Sequence, residues 1–261
     1  MLELLAEIHS FLDLSPPAAP LPVADPFPSQ LEAVLDAAPP IFSFTFGIPD
    51  PDAMARLRAR GILVIGTATT LEEARALADA GVDAIIAQGA EAGAHRGTFL
   101  GSFESSLVPT LELVPAIHAS MPTPVIAAGG LMDGAGIRTA MQHGASAAAL
   151  GTAFLTCPES GAPEAHKRAI LSADRDTTVL TRAFSGRMAR GLANEFSARL
   201  EARHEIILPF PMQNTLTRAM RTAAAKRGHS GFLSLWAGTG VARARSLPAA
   251  ALTKTLVAEL G

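Results

Sequence analysis

Apolar positions along the chain follow two rhythms. At residues 41–46, 63–66, 84–87, 124–128 and 146–150 they form short continuous runs bounded by Gly or Pro, the pattern of buried strands. Between these runs, apolar side chains recur at helical spacing over 51–60, 71–80, 107–119 and 134–142. Pro51 suits the first turn of its helix, Thr70 is placed to cap the next, and Gly81 and Gly144 are placed to stop theirs. The predicted strands begin near 41, 63, 84, 124 and 146, so three of the four intervals span 21–22 residues, the period of a βα repeat. Continuous rather than alternating apolar strands belong to parallel sheets covered on both faces.

The flanks read differently. A helical stripe at Leu4, Leu5, Ile8, Phe11 and Leu12 predicts a helix over 2–12. Six prolines in 15–29 then remove amide donors and predict an extended connection, followed by a short helix over 30–37. From Cys157 onward the repeat stops. A turn-rich joint, an extended segment over 178–184 and a basic loop over 185–191 lead to helices over 192–204, 213–226 and 249–260. The chain thus divides into an N-terminal helix and Pro-rich linker (1–30), an α/β body (31–156) and a mainly helical cap or extension (157–261).

At 261 residues and 49% hydrophobic content there is enough chain for one large core. The net charge of −3, without basic stripes, argues against a nucleic-acid or anionic-membrane partner and for a small-molecule ligand. A lone Cys157 excludes an internal disulfide and reads as a buried apolar residue. The N-terminus is acidic rather than signal-like, and no run reaches the roughly 18 apolar residues of a membrane span, so a cytoplasmic location is expected.

Candidate chemistry gathers in the loop after the third strand, Gln88-Gly89-Ala90-Glu91-Ala92-Gly93-Ala94-His95-Arg96-Gly97-Thr98. Strand-end loops are where parallel α/β proteins keep their functional groups. Among seven histidines, His95 stands apart because small residues surround it and leave room for a substrate, and a neutral imidazole there is a competent general base. Glu91 either orients His95 or caps a neighbouring helix, with the structural role favoured. Arg96 has two readings, an anion contact and a solvated charge. No second ligand stands at metal spacing around His95. A glycine turn by itself is an ordinary tight turn. Two of them after consecutive strands, Ala127-Ala128-Gly129-Gly130 and Ala149-Leu150-Gly151-Thr152, point to a phosphate-bearing cofactor held by backbone amides.

These stretches, with Gly151-Thr152-Ala153-Phe154, Pro211-Met-Gln-Asn-Thr-Leu-Thr and Ser234-Leu-Trp-Ala-Gly, resemble the signatures of the nitronate monooxygenases, formerly called 2-nitropropane dioxygenases, from about Leu31 to the end. The resemblance implies an FMN-dependent (β/α)8 TIM barrel with a helical cap, oxidising alkyl nitronates with dioxygen to carbonyl compounds and nitrite. By position it implies flavin contacts from Gln88 and Gly93, phosphate contacts from Gly129, Gly130, Ala149, Leu150, Gly151 and Thr152, and His95 as base on neutral nitroalkanes. Ala94 stands where the family usually has a second glycine, and Ala149 where glutamine is common. The family's first three strands have no counterpart, so an N-terminally truncated barrel with about five strands and two exposed edges is expected. A homo-oligomer is one way such edges are covered. Two alternatives compete: an FMN-dependent enoyl-acyl-carrier-protein reductase of the same fold, and a non-catalytic fragment that keeps a flavin- or phosphate-binding surface.

Overall fold

The computed structural model describes residues 1–22, 24–174 and 178–261; Val23, within the predicted Pro-rich connection, lies outside the described residues. The chain opens with α1 (Leu2–Phe11) and α2 (Phe27–Ala37) and continues through β1 (Ile41–Phe44), α3 (Pro51–Ala59), β2 (Leu63–Ala68), α4 (Leu71–Asp79) and β3 (Ala84–Gln88). A two-residue strand, β4 (Ala94–His95), precedes α5 (Thr110–Ser120), β5 (Val125–Ala128), α6 (Gly134–Gln142) and β6 (Ala147–Ala149). The remainder comprises α7 (Thr152–Leu155), α8 (Glu164–Leu171), β7 (Thr178–Thr181), β8 (Ala189–Leu192), α9 (Glu195–Glu201), α10 (Met212–Leu216), α11 (Arg218–Lys226) and α12 (Ala249–Leu260). Two compact units result. The sheet unit is Ala24–Ala92, Arg96–Leu150 and Leu256–Gly261; the second unit is Met1–Val23, Gly93–His95 and Gly151–Thr255.

In the sheet unit, five parallel strands stand in the order β1-β2-β3-β5-β6, which is their order along the chain. Right-handed crossovers that always step the same way keep every helix on one side of the sheet, whereas a doubly wound sheet reverses direction. The architecture is therefore α/β of the TIM-barrel type, and all five predicted strands are present. Helix starts follow the local chemistry: Asp50 accepts the amide of Ala53 at 2.8 Å, Thr70 that of Glu73 at 3.2 Å, and Asp133 that of Gly136 at 2.8 Å. The core joins Leu57, Val64, Leu77, Ile85, Val114, Ile117 and Val125, all essentially inaccessible. Among the described residues β1 and β6 each pair on one side only. Beside β1 lies a groove of about 470 Å³ lined by Phe27, Phe42, Phe44, Phe46 and Ile48.

The second unit packs helices around Leu5, Ile8, Phe184, Phe196, Leu200, Met220 and Val241. It also holds an antiparallel sheet in the order β4-β8-β7. Here local pattern and structure part. Residues 185–191 read as a basic loop and Leu192 as the start of a helix, yet Ala189–Leu192 is the central strand, paired to Thr178–Thr181 on one side and to Ala94–His95 on the other. Ala-Arg-Gly-Leu carries no strand propensity, so the two partners decide its conformation. The helix predicted over 192–204 begins only after Asn194, which forms a capping box with Ser197. The helix predicted over 213–226 divides at Thr217, whose buried hydroxyl donates to the carbonyl of Phe184. In the sheet unit, α2 starts three residues early, at Phe27, because Pro28 is acceptable in a first turn.

Candidate active site

The loop after β3 is held by charged side chains turned inward. Arg96, 1% exposed, donates to the carbonyls of Gly89 (2.6 Å), Ser106 (2.6 Å) and Gln88 (3.0 Å). The solvated reading of Arg96 therefore fails: its guanidinium is buried and donates to carbonyls that the loop would otherwise leave without partners. The side-chain carbonyl of Gln88 accepts the amide of Gly97 at 2.8 Å, folding the loop back on the strand end. Glu91 accepts the amide (2.9 Å) and hydroxyl (2.8 Å) of Thr110 and so caps α5, the structural role favoured from sequence.

Gln88 pairs in register with Ala128, and Ala128 with Ala149, so the carboxyl ends of β3, β5 and β6 form one row. Beyond that row Gly129 and Gly130 adopt φ of +127° and +70°, conformations that strain any side chain, and a Cβ on Gly129 would meet the Thr110 hydroxyl at 2.7 Å. Leu150 follows β6 directly. At Gly151 a Cβ would meet nothing within 4 Å. The backbone just beyond β5 is thus side-chain-free at Gly129 and Gly130.

Gly151 and the remaining sequence-predicted residues, Gly93, His95 and Thr152, belong to the second unit. Gly93 is obligatory by close approach, since a Cβ there would lie 2.6 Å from the Ala237 carbonyl carbon and the Gly238 nitrogen. The Gly238 amide donates to the Thr152 hydroxyl at 3.0 Å, and His166 Nε2 lies 3.1 Å from the Trp236 carbonyl oxygen. The 236–238 segment is thus the wall on which Gly93, Thr152 and His166 converge.

His95 sits in an aromatic setting, its ring 5.4 Å from that of Trp236 and 6.0 Å from that of Phe210. Its Nε2 lies 2.7 Å from the hydroxyl oxygen of buried Ser185. Burial, then the positive charges of Arg187 and Arg221, push its pKa down to about 4. The ring is therefore neutral through the physiological range and carries one lone pair able to take a proton. Ser185, Arg187, Phe210 and Arg221 were not singled out from sequence, because they lie about 90 to 126 residues beyond His95 and no local pattern marks them.

Three comparisons bear on this arrangement. The family model described as nitronate monooxygenase matches residues 13–259. Among curated proteins, a nitronate monooxygenase of Pseudomonas aeruginosa is 46% identical over 234 residues, 89% of this chain and 67% of that protein. A probable nitronate monooxygenase of Bacillus subtilis is 41% identical over 236 residues, covering 90% of this chain and 67% of that protein. Among solved structures, a nitroalkane oxidase from Streptomyces ansochromogenes matches with a TM-score of 0.91 and 43% identity, covering 99% of this chain and 74% of that one. FabK from Thermotoga maritima matches with a TM-score of 0.77 and 28% identity, covering 91% and 73%. The chain spans about two thirds of the length of the curated relatives it matches, from 64% to 70%.

Proposed function

Because the chain belongs to the nitronate monooxygenase family, we propose that it is an FMN-dependent oxidoreductase that converts alkyl nitronates, and nitroalkanes through their nitronates, to carbonyl compounds and nitrite with dioxygen. The observation that carries this reading is the setting of His95, whose ring lies beside those of Trp236 and Phe210 with Nε2 2.7 Å from the Ser185 hydroxyl oxygen. A neutral base neither repels a nitroalkane nor requires prior deprotonation. Arg187 and Arg221, whose charges reach the ring, favour an anionic nitronate in the same place.

Bound FMN would supply the redox chemistry that couples nitronate oxidation to dioxygen. Gln88, Gly93, Gly129, Gly130, Ala149, Leu150, Gly151 and Thr152 are the residues we assign to holding it, the glycine turns and strand-end amides taking its phosphate. His95 then receives the carbon-bound proton of a neutral nitroalkane, while the C–H electron pair passes into the nitro group to form the nitronate. Cytoplasmic residence, suggested by the single unpaired Cys157, and assembly into a homo-oligomer complete the proposal. No helix among the described residues is long and apolar enough to cross a membrane.

The family match favours this reading over an enoyl-acyl-carrier-protein reductase. Purified chain should show a flavin visible spectrum and release nitrite from an alkyl nitronate in air, and His95→Ala should depress turnover of the neutral nitroalkane far more than that of the nitronate. A colourless, inactive protein would instead support the non-catalytic fragment, and nicotinamide-dependent reduction of an enoyl thioester would support the reductase.

A further inference from the structure

We propose that Ser185 is a positioning residue for His95: its hydroxyl accepts Nε2–H of the ring and thereby selects the tautomer that leaves the lone pair on Nδ1. The hydrogen-bond accounting of the hydroxyl carries this. A serine hydroxyl has one proton and two acceptor sites, and three groups surround this one, which is 1% exposed. The Arg187 amide donates to it at 3.3 Å, the Arg187 carbonyl accepts from it at 3.1 Å, and His95 Nε2 lies 2.7 Å away. With its proton on the Arg187 carbonyl and one lone pair taken by the Arg187 amide, the hydroxyl has one acceptor site for His95, and that contact needs a proton on Nε2. The opposite assignment, Ser185 donating to Nε2, would set the hydroxyl oxygen against the Arg187 carbonyl with no proton between them, in a buried place where such a mismatch is costly.

The arrangement deepens the assignment of His95 as base and rests on it. When the carbon-bound proton moves to Nδ1, with its bonding electrons left in the nitronate, Nε2–H keeps its acceptor and Ser185 need not reorganise. The charged ring, opposed by Arg187 and Arg221, thereby retains a hydrogen bond on the side away from the substrate proton.

The test is ¹⁵N NMR of the full chain labelled at histidine, with the His95 signals identified by their loss in His95→Ala. At pH 7 the wild-type ring should show protonated Nε2 and unprotonated Nδ1; Ser185→Ala should give a tautomer mixture, and Ser185→Thr should restore the wild-type pattern. A wild-type ring protonated on Nδ1, or a pattern unchanged in Ser185→Ala, overturns the proposal, and the wild-type spectrum decides even if the alanine variant fails to fold. In turnover, Ser185→Ala should lower kcat/KM for a neutral nitroalkane by about tenfold, and by more than it lowers that for the nitronate. If His95→Ala itself spares the nitroalkane, the base assignment fails independently, and the NMR pattern still judges Ser185.

Discussion

The hydroxyl of Thr98 donates to Glu73 Oε1 at 2.7 Å, tying the segment just beyond His95 to the first turn of α4. The same oxygen accepts the amides of Phe99 (2.6 Å) and Leu100 (2.9 Å), and Oε2 accepts the amide (2.6 Å) and hydroxyl (2.7 Å) of Thr69. One fully buried carboxylate thus satisfies five donors. Arg96 does the complementary work on the loop's carbonyls.

Replacing Glu73 with Gln should therefore destabilise the protein by about 2–3 kcal/mol, because an amide cannot accept at both positions and charged hydrogen bonds are the strong ones. Burial alone would raise the Glu73 pKa, but the bonds from Leu100, Thr69 and Phe99 outweigh it and hold the pKa below the usual value. A carboxyl depressed in the folded state contributes stability that is present in full above the unfolded pKa of about 4.3 and is lost as pH falls through the lower folded value. Denaturant unfolding should show that acid-side loss in the wild type and a smaller one in Glu73→Gln.

Ala94 adopts φ of +62°, a left-handed conformation that burdens a Cβ, one residue before His95. Ala94→Gly should raise stability by about 0.5–1 kcal/mol, as relief of strain exceeds the entropy glycine adds to the unfolded chain. Thermal unfolding of the purified variant checks this; a lower Tm would mean that the methyl packs better than the backbone suffers.

For His95 the folded pKa of about 4 lies below the unfolded value. The unfolded chain therefore binds the extra proton first, so the ring's contribution to stability is full above about pH 6.5 and declines as pH falls toward the folded value. In catalysis, nitroalkane turnover should show no histidine limb near pH 6.5 and should fall only in more acidic solution. A kcat/KM profile with an acid limb close to 6.5 would overturn this, because kcat/KM reports the ionisations of the free enzyme.

Much of the framework was legible because it is local. The spacing of the apolar runs marked all five parallel strands, Pro51 and Thr70 marked helix starts, and Gly81 and Gly144 marked helix ends at positive φ. The glycine turns at Gly129 and Gly151 and the His95 loop were visible for the same reason. Burial period and backbone permissiveness are written in neighbouring residues.

What the sequence determined by itself was thus the parallel repeat, the strand ends that carry the candidate site, and the family to which the motifs point. The tertiary structure decided the surroundings: that Arg96 turns inward, that Glu73 gathers five donors, that Ala189–Leu192 is a strand, and that Ser185 meets His95 across 90 residues of chain. Each of these depends on partners distant in sequence, and a buried polar group takes its role from the donors and acceptors that folding brings to it.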